Sequence, residues 1–155
     1  MKCVQCQTVS SVEAMFCYAC GSPLAGEEIV ECDNHTGTKA AGVCVVCGKP
    51  VCVDCSVLRE RRVYCDDASH AELSLSHVKL GAAGSEFEAD FLAHNLSANG
   101  ISVVVFYGLR YSQLCRLTDN VFASLFVKNE MLESARRLLG EMDLADFFLD
   151  QTPSL

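Results

Sequence analysis

The sequence predicts small metal-clamped modules followed by one α+β unit. Three observations carry this. Ten of the eleven cysteines fall between Cys3 and Cys65, and a single one, Cys115, lies in the remaining 90 residues. The cysteines come in pairs two residues apart, the spacing of metal thiolates rather than of a disulfide framework. Beyond residue 76 the pattern changes to alternating helical and strand-like apolar periodicity.

Composition narrows the function classes. The chain has 155 residues, 50% apolar and 21% charged, so long disorder and low-complexity scaffolds are excluded. No apolar run approaches the ~18 residues needed to span a membrane, and the first residues, Met1 to Cys6, offer no apolar core for a signal peptide. A soluble, cytoplasmic protein is expected, with no membrane partner. The formal charge is -8. Residues 1–26 are neutral, and residues 27–72 and 73–155 each carry net -4. Zinc bound to three or four thiolates would not reverse this sign. Phosphate-backbone binding needs a basic face, so nucleic acid is disfavoured as a partner.

The first module spans residues 1–26. Its ligands run Cys3-x2-Cys6-x10-Cys17-x2-Cys20, followed by Gly21. Two such knuckles complete a tetrahedron, the geometry Zn²⁺ accepts most readily. Four protein ligands leave no position for water or substrate, so the site is read as structural zinc. Rubredoxin-like iron is the alternative, and the large aromatic domain that usually surrounds such iron is missing. With its Phe16-Cys17-x2-Cys20-Gly21-x-Pro23-Leu24 ending, the segment resembles a short prokaryotic zinc ribbon.

The second module spans residues 30–72 and holds eight candidate ligands, enough for two tetrahedral ions: Cys32, His35, Cys44, Cys47, Cys52, Cys55, Cys65 and His70. Spacing alone leaves their pairing open. The stretch from Cys32-x2-His35 through Cys44-Val45-Val46-Cys47-Gly48-Lys49-Pro50-Val51-Cys52-Val53-Asp54-Cys55 to Tyr64-Cys65 resembles a B-box zinc finger, in particular its prokaryotic version. That resemblance implies a cross-brace, with Cys32, His35, Cys52 and Cys55 on one ion and Cys44, Cys47, Cys65 and His70 on the other. The prokaryotic pattern usually ends Cys-x2-Cys, and Ala68 stands at its last position. His70 is read as the substitute ligand, with Asp66 and Asp67 as alternatives. Three zinc ions are therefore expected in all. Arg59, Arg61 and Arg62 form a basic run that reads as a solvated loop or as a contact for an acidic partner.

The third unit spans residues 76–150. His77 to Gly81 reads as a strand ending in glycine. Ser85-Glu86-Phe87-Glu88 is a capping box opening a helix. Ala89, Leu92, Ala93 and Leu96 follow at helical spacing, and Asn99-Gly100 stops the helix. Ile101 to Tyr107 and Val121 to Val127 read as strands, the second with both faces partly covered. Asn129 is expected to cap a second helix with Leu132, Ala135, Leu138 and Leu139 on its apolar stripe. Phe147-Phe148-Leu149 reads as a final strand or as a short partner motif. The β-α-β-β-α order, with room for a last β, is the split βαβ, ferredoxin-like topology.

The matching positions, Glu88-Ala89-x2-Leu92-x3-Leu96-x3-Gly100-Ile101, Val121 to Val127 and Ala135-x2-Leu138-Leu139, resemble a small prokaryotic domain described as signal-transducing. Its fold is related to the nitrogen-regulatory PII proteins. The resemblance implies regulation, self-association or partner contact, with the loop holding Arg110, Tyr111 and Arg116 as a candidate ligand or partner loop. Cys115 reads as a small, partly buried apolar residue, and His77 and His94 as surface or helix residues.

No phosphate loop, nucleophile elbow or His-Glu-x-x-His motif is present. The expectation is a non-enzymatic adaptor or regulator with a protein partner. A nucleic-acid or translation-associated zinc protein and a thiol redox switch are the alternatives.

Overall fold

A computed structural model describes residues 1–24, 26, 29–107 and 121–144. The first 24 residues contain little regular structure beyond two isolated bridges, Lys2 with Val9 and Phe16 with Pro23. Their shape comes from the knuckles. In the Cys3/Cys6, Cys17/Cys20 and Cys44/Cys47 pairs, the amide of the following residue donates to the carbonyl of the first cysteine at 2.7–2.9 Å. That following residue, Gln7, Gly21 or Gly48, has positive φ.

Three two-stranded antiparallel hairpins follow. β1 (Glu31–Cys32) pairs with β2 (His35–Lys39), β3 (Gly42–Val43) with β4 (Pro50–Val51), and β5 (Ser56–Arg59) with β6 (Arg62–Cys65). The chain then enters helix α1 (Ala68–Ser76), which occupies the interval before the α+β unit and leads directly into β7 (His77–Ala83). Asp67 caps α1, its Oδ1 accepting from the Ser69 amide at 2.9 Å and hydroxyl at 2.6 Å. These bonds hold its carboxyl below the usual range.

α2 (Glu86–Ala98) opens as the capping box predicts: Ser85 Oγ accepts from the Glu88 amide at 3.2 Å. The Glu88 carboxylate reaches one residue further back than expected, accepting from the Gly84 amide at 2.7 Å. Asn99 closes the helix, and Gly100 turns the chain at φ +78°. β8 (Val103–Tyr107), β9 (Ala123–Lys128) and α3 (Leu132–Glu141) complete the described unit. The sheet order is β7-β9-β8, antiparallel throughout. The unit is thus a three-stranded sheet with helices.

Two local expectations change. Asn129 does not cap: it begins a 3₁₀ turn, Asn129–Met131, with no side-chain cap, and α3 starts at Leu132. Gly81 does not end its strand; β7 runs on to Ala83 through a register shift between Lys79 and Gly81. The proposed final strand at Phe147–Leu149 lies outside the described residues.

The central strand β9 is buried on both faces. Ala123, Leu125 and Val127 join Leu80, Leu92, Leu96 and Leu139 in a core against the helices. Phe126 joins the other core, made of Val45, Val46, Val51, Val63, Tyr64 and the metal-ligand cysteines. Ala82 and Val121 pack on the first knuckles with Cys3, Cys17 and Tyr18. The small modules therefore cover the sheet face that the helices leave open.

Two contacts fix this arrangement. Lys79, 2% exposed on β7, sends Nζ to the Tyr18 carbonyl at 2.7 Å and the Val45 carbonyl at 3.3 Å, over the Tyr18 ring. One ammonium thus ties both small modules to the sheet. Gly21 and Gly42 allow the backbones of the first two modules to touch, with the Val43 amide donating to the Gly21 carbonyl at 2.9 Å. A Cβ at Gly21 would stand 2.0 Å from the Val43 oxygen, and its φ is +75°.

Lys79→Met is expected to lower unfolding free energy by about 2–4 kcal/mol, since two buried carbonyls lose a charged donor, as read by denaturant titration of the zinc-loaded chain. Gly21→Ala is expected to be destabilising too. It combines the steric conflict with about 1 kcal/mol or more of left-handed backbone strain.

Candidate metal centres

The hairpins and knuckles bring the predicted ligands together as three separate groups. They are Cys3, Cys6, Cys17 and Cys20; Cys32, His35, Cys52 and Cys55; and Cys44, Cys47, Cys65 and His70. Within each, the ligand atoms all lie within 4.8 Å of one another. The second and third groups interleave along the chain, first pair with third and second with fourth.

The distances fit a tetrahedral ion. Zinc–sulfur bonds of about 2.3 Å and zinc–nitrogen bonds of about 2.0 Å imply ligand–ligand edges of roughly 3.5–3.8 Å. In the first group, Cys3 and Cys20 sulfurs are 3.6 Å apart, and Cys6 and Cys17 sulfurs 3.5 Å. In the second, His35 Nδ1 lies 3.9, 3.4 and 3.3 Å from Cys32, Cys52 and Cys55. In the third, His70 Nδ1 lies 3.8 Å from Cys44 and 3.1 Å from Cys65, and Cys47 is 4.0 Å from Cys65. Both histidines thus turn Nδ1 inward.

Electrostatics gives the same fit. Cys44, beside Cys47 and then Cys65, has its pKa pulled down to about 3, while Cys47, beside Cys44 and then Cys65, is pushed far up. Cys6 and Cys17 split the same way, one down and one up. Sulfurs this close share protons because they cannot all ionise alone. A divalent cation removes that conflict and holds all the thiolates at once. Each set supplies four protein ligands, which is the closed shell of a structural zinc. When bound, the ion would contribute folding energy, on the order of 10–16 kcal/mol in model fingers.

Neighbouring groups orient these ligands. Asn34 Nδ2 donates to Cys55 Sγ at 3.5 Å and to Asp66 Oδ2 at 3.1 Å, and Lys49 Nζ donates to Asn34 Oδ1 at 2.7 Å. Thr8 Oγ1 stands 3.2 Å from Cys6 Sγ. The His70 ring meets Phe106 edge-on at 5.5 Å, and Phe106 meets Phe126 the same way at 5.8 Å. The third group is therefore backed by sheet side chains, while His35 of the second is exposed.

Of the three candidates for the last ligand, only His70 sits in a group. Asp66 bonds Asn34, and Asp67 is occupied as the cap of α1. Sequence reading missed α1 itself, although Asp67-Ala68-Ser69 is an N-cap signal. It also missed Asn34, hidden between Cys32 and His35. Arg110, Tyr111 and Arg116 lie outside the described residues.

The zinc-loaded chain is expected to carry three ions by native mass spectrometry, and His70→Ala two. Acid should release zinc. The Cys52 sulfur, then that of Cys32, holds metal-free His35 above its ordinary range, and only neutral imidazole binds metal. Affinity at that group should therefore fall as pH drops through a value above about 6.5, as followed with a chromophoric zinc chelator.

Comparison with known proteins identifies one region. The family model for the B-box zinc finger matches residues 27–60, ending before Cys65 and His70. No curated protein and no solved structure matches the chain. Residues 27–60 are thus a B-box-like zinc-binding module within a chain whose described residues hold three Cys/His groups, each able to bind a zinc ion.

Proposed function

We propose that the chain is a non-enzymatic zinc-binding adaptor or regulatory protein. The observation that carries this reading is the closed ligand count: each group has four protein donors, so no coordination position is left for water or substrate. The zinc modules act as rigid platforms for protein contact. The α+β unit, read as ferredoxin-like and PII-like, serves signalling, self-association or partner binding. Its β7-β9-β8 order supports that reading, since a third strand inserted between two others is the split βαβ arrangement. Fold alone does not name a ligand. The candidate loop with Arg110, Tyr111 and Arg116 carries the charge a carboxylate or phosphate would need. The ribbon reading of residues 1–24 rests on the two knuckles and the Phe16–Pro23 bridge.

Cobalt substitution tests the closed shells. Three Co²⁺ per chain with intense tetrahedral thiolate absorption, unmoved by added azide, is the expected result. A spectrum that shifts with azide would reveal an open position and replace this reading with a catalytic one. Binding to a mixed RNA or DNA oligonucleotide that weakens steeply with salt would favour the translation-associated alternative instead.

A further inference from the structure

Ten of the twelve ligands in the three groups are cysteines, and two, His35 and His70, are neutral donors. The difference bears on how an ion leaves. A zinc ion is displaced one ligand at a time, by an incoming donor that briefly makes it five-coordinate. A thiolate that lets go inside the protein leaves an unpaired buried charge, whereas an imidazole that turns into water leaves none. The first group has only thiolates, and Cys3, Cys17 and Cys20 are 1% exposed or less, packed with Tyr18, Ala82 and Val121. It offers no easy first step.

The two histidines stand in different surroundings. Among the described residues neither has a hydrogen bond on Nε2, so packing alone fixes each ring. His70 is half-buried on α1 and lies edge-on against Phe106, which lies edge-on against Phe126 of the core. Turning it outward breaks an aromatic contact. His35 is exposed. It opens β2, whose five residues are all exposed and whose sheet partner is β1 alone. Around it the frame is fixed. Asn34 donates to Cys55 Sγ and to Asp66 and accepts from Lys49, and Cys32, Cys52 and Cys55 are 3–5% exposed. The His35 ring can therefore swing on its side-chain bonds while the backbone and the three sulfurs stay in place.

We propose that the group of Cys32, His35, Cys52 and Cys55 is an exchangeable zinc site. Its ion passes to and from competing thiol or chelating ligands through the position that His35 vacates, while the other two groups keep theirs. At equilibrium all four donors are bound, so the shell is closed; what sets this group apart is the path by which its ion leaves. The two locked ions hold the fold, and the third follows the zinc supply, which makes the protein a reader of that supply. The proposal rests on zinc binding at the three groups and not on the adaptor reading.

Isotope exchange tests this. The full chain loaded with three zinc ions is mixed with excess zinc of a heavier isotope, and native mass spectrometry counts the ions replaced over time. One ion per chain is expected to exchange at least about tenfold faster than the other two. His35→Cys, which puts a thiolate in place of the free ring, should abolish the fast ion. Phe106→Ala, which frees the His70 ring, should add a second one. Both variants are compared at three bound ions and parental circular dichroism. Three ions that exchange at one rate overturn the proposal. So does a fast ion that survives His35→Cys, or a Phe106→Ala chain that still has only one. A starting chain with no ion at this group overturns the zinc reading as well, and the initial mass shows that apart from any rate.

Discussion

The mutual closeness of the ligand sulfurs is the constraint on which the remaining structure depends. Thiolates 3.5–4.0 Å apart repel one another in the first and third groups, and a cation at the centre reconciles them. Segments of this size cannot bury enough apolar surface to hold themselves together. The ion replaces the core they lack, and the hairpins are the shortest paths between ligand pairs. What the knuckles then offer outward is a firm surface, and the sheet uses it as its second covering layer.

That arrangement explains why the central strand is apolar on both sides. Phe126 and Leu125 point into different cores, one built on cysteines and one on helices. Lys79 lies at the seam between modules, where a purely apolar contact would leave the Tyr18 and Val45 carbonyls without this donor. His70 links the two halves more directly. Its Nδ1 faces the third metal position, while its ring rests on Phe106 of the sheet.

Much of this was legible in the sequence because its signals are local. Cysteine spacing identifies the knuckles, the Ser85-to-Glu88 box marks the start of α2, and Asn99-Gly100 marks its end. Alternation in Val121 to Val127 announced a strand covered on both sides. What covers it was not legible, since the docking of modules depends on contacts such as Gly21 with Val43, more than twenty residues apart. Asn129 misled because a good capping residue was overridden by a 3₁₀ entry to α3. Asn34 and Lys49 went unnoticed as orienting groups because hydrogen bonds between side chains distant in sequence leave no periodic trace.

The position of β9 has a consequence for how the chain is made. It is the last strand of the described sheet in sequence and the middle one in space. Until it is synthesised, β7 and β8 have no partner lying between them. The metal-binding segments are complete well before that point. A growing chain therefore meets its ions first and closes its sheet last, onto a surface the ions have already set. Scarcity of metal during synthesis would leave Phe126 and Phe106 facing water at the moment the sheet forms, and such a chain is a substrate for quality control.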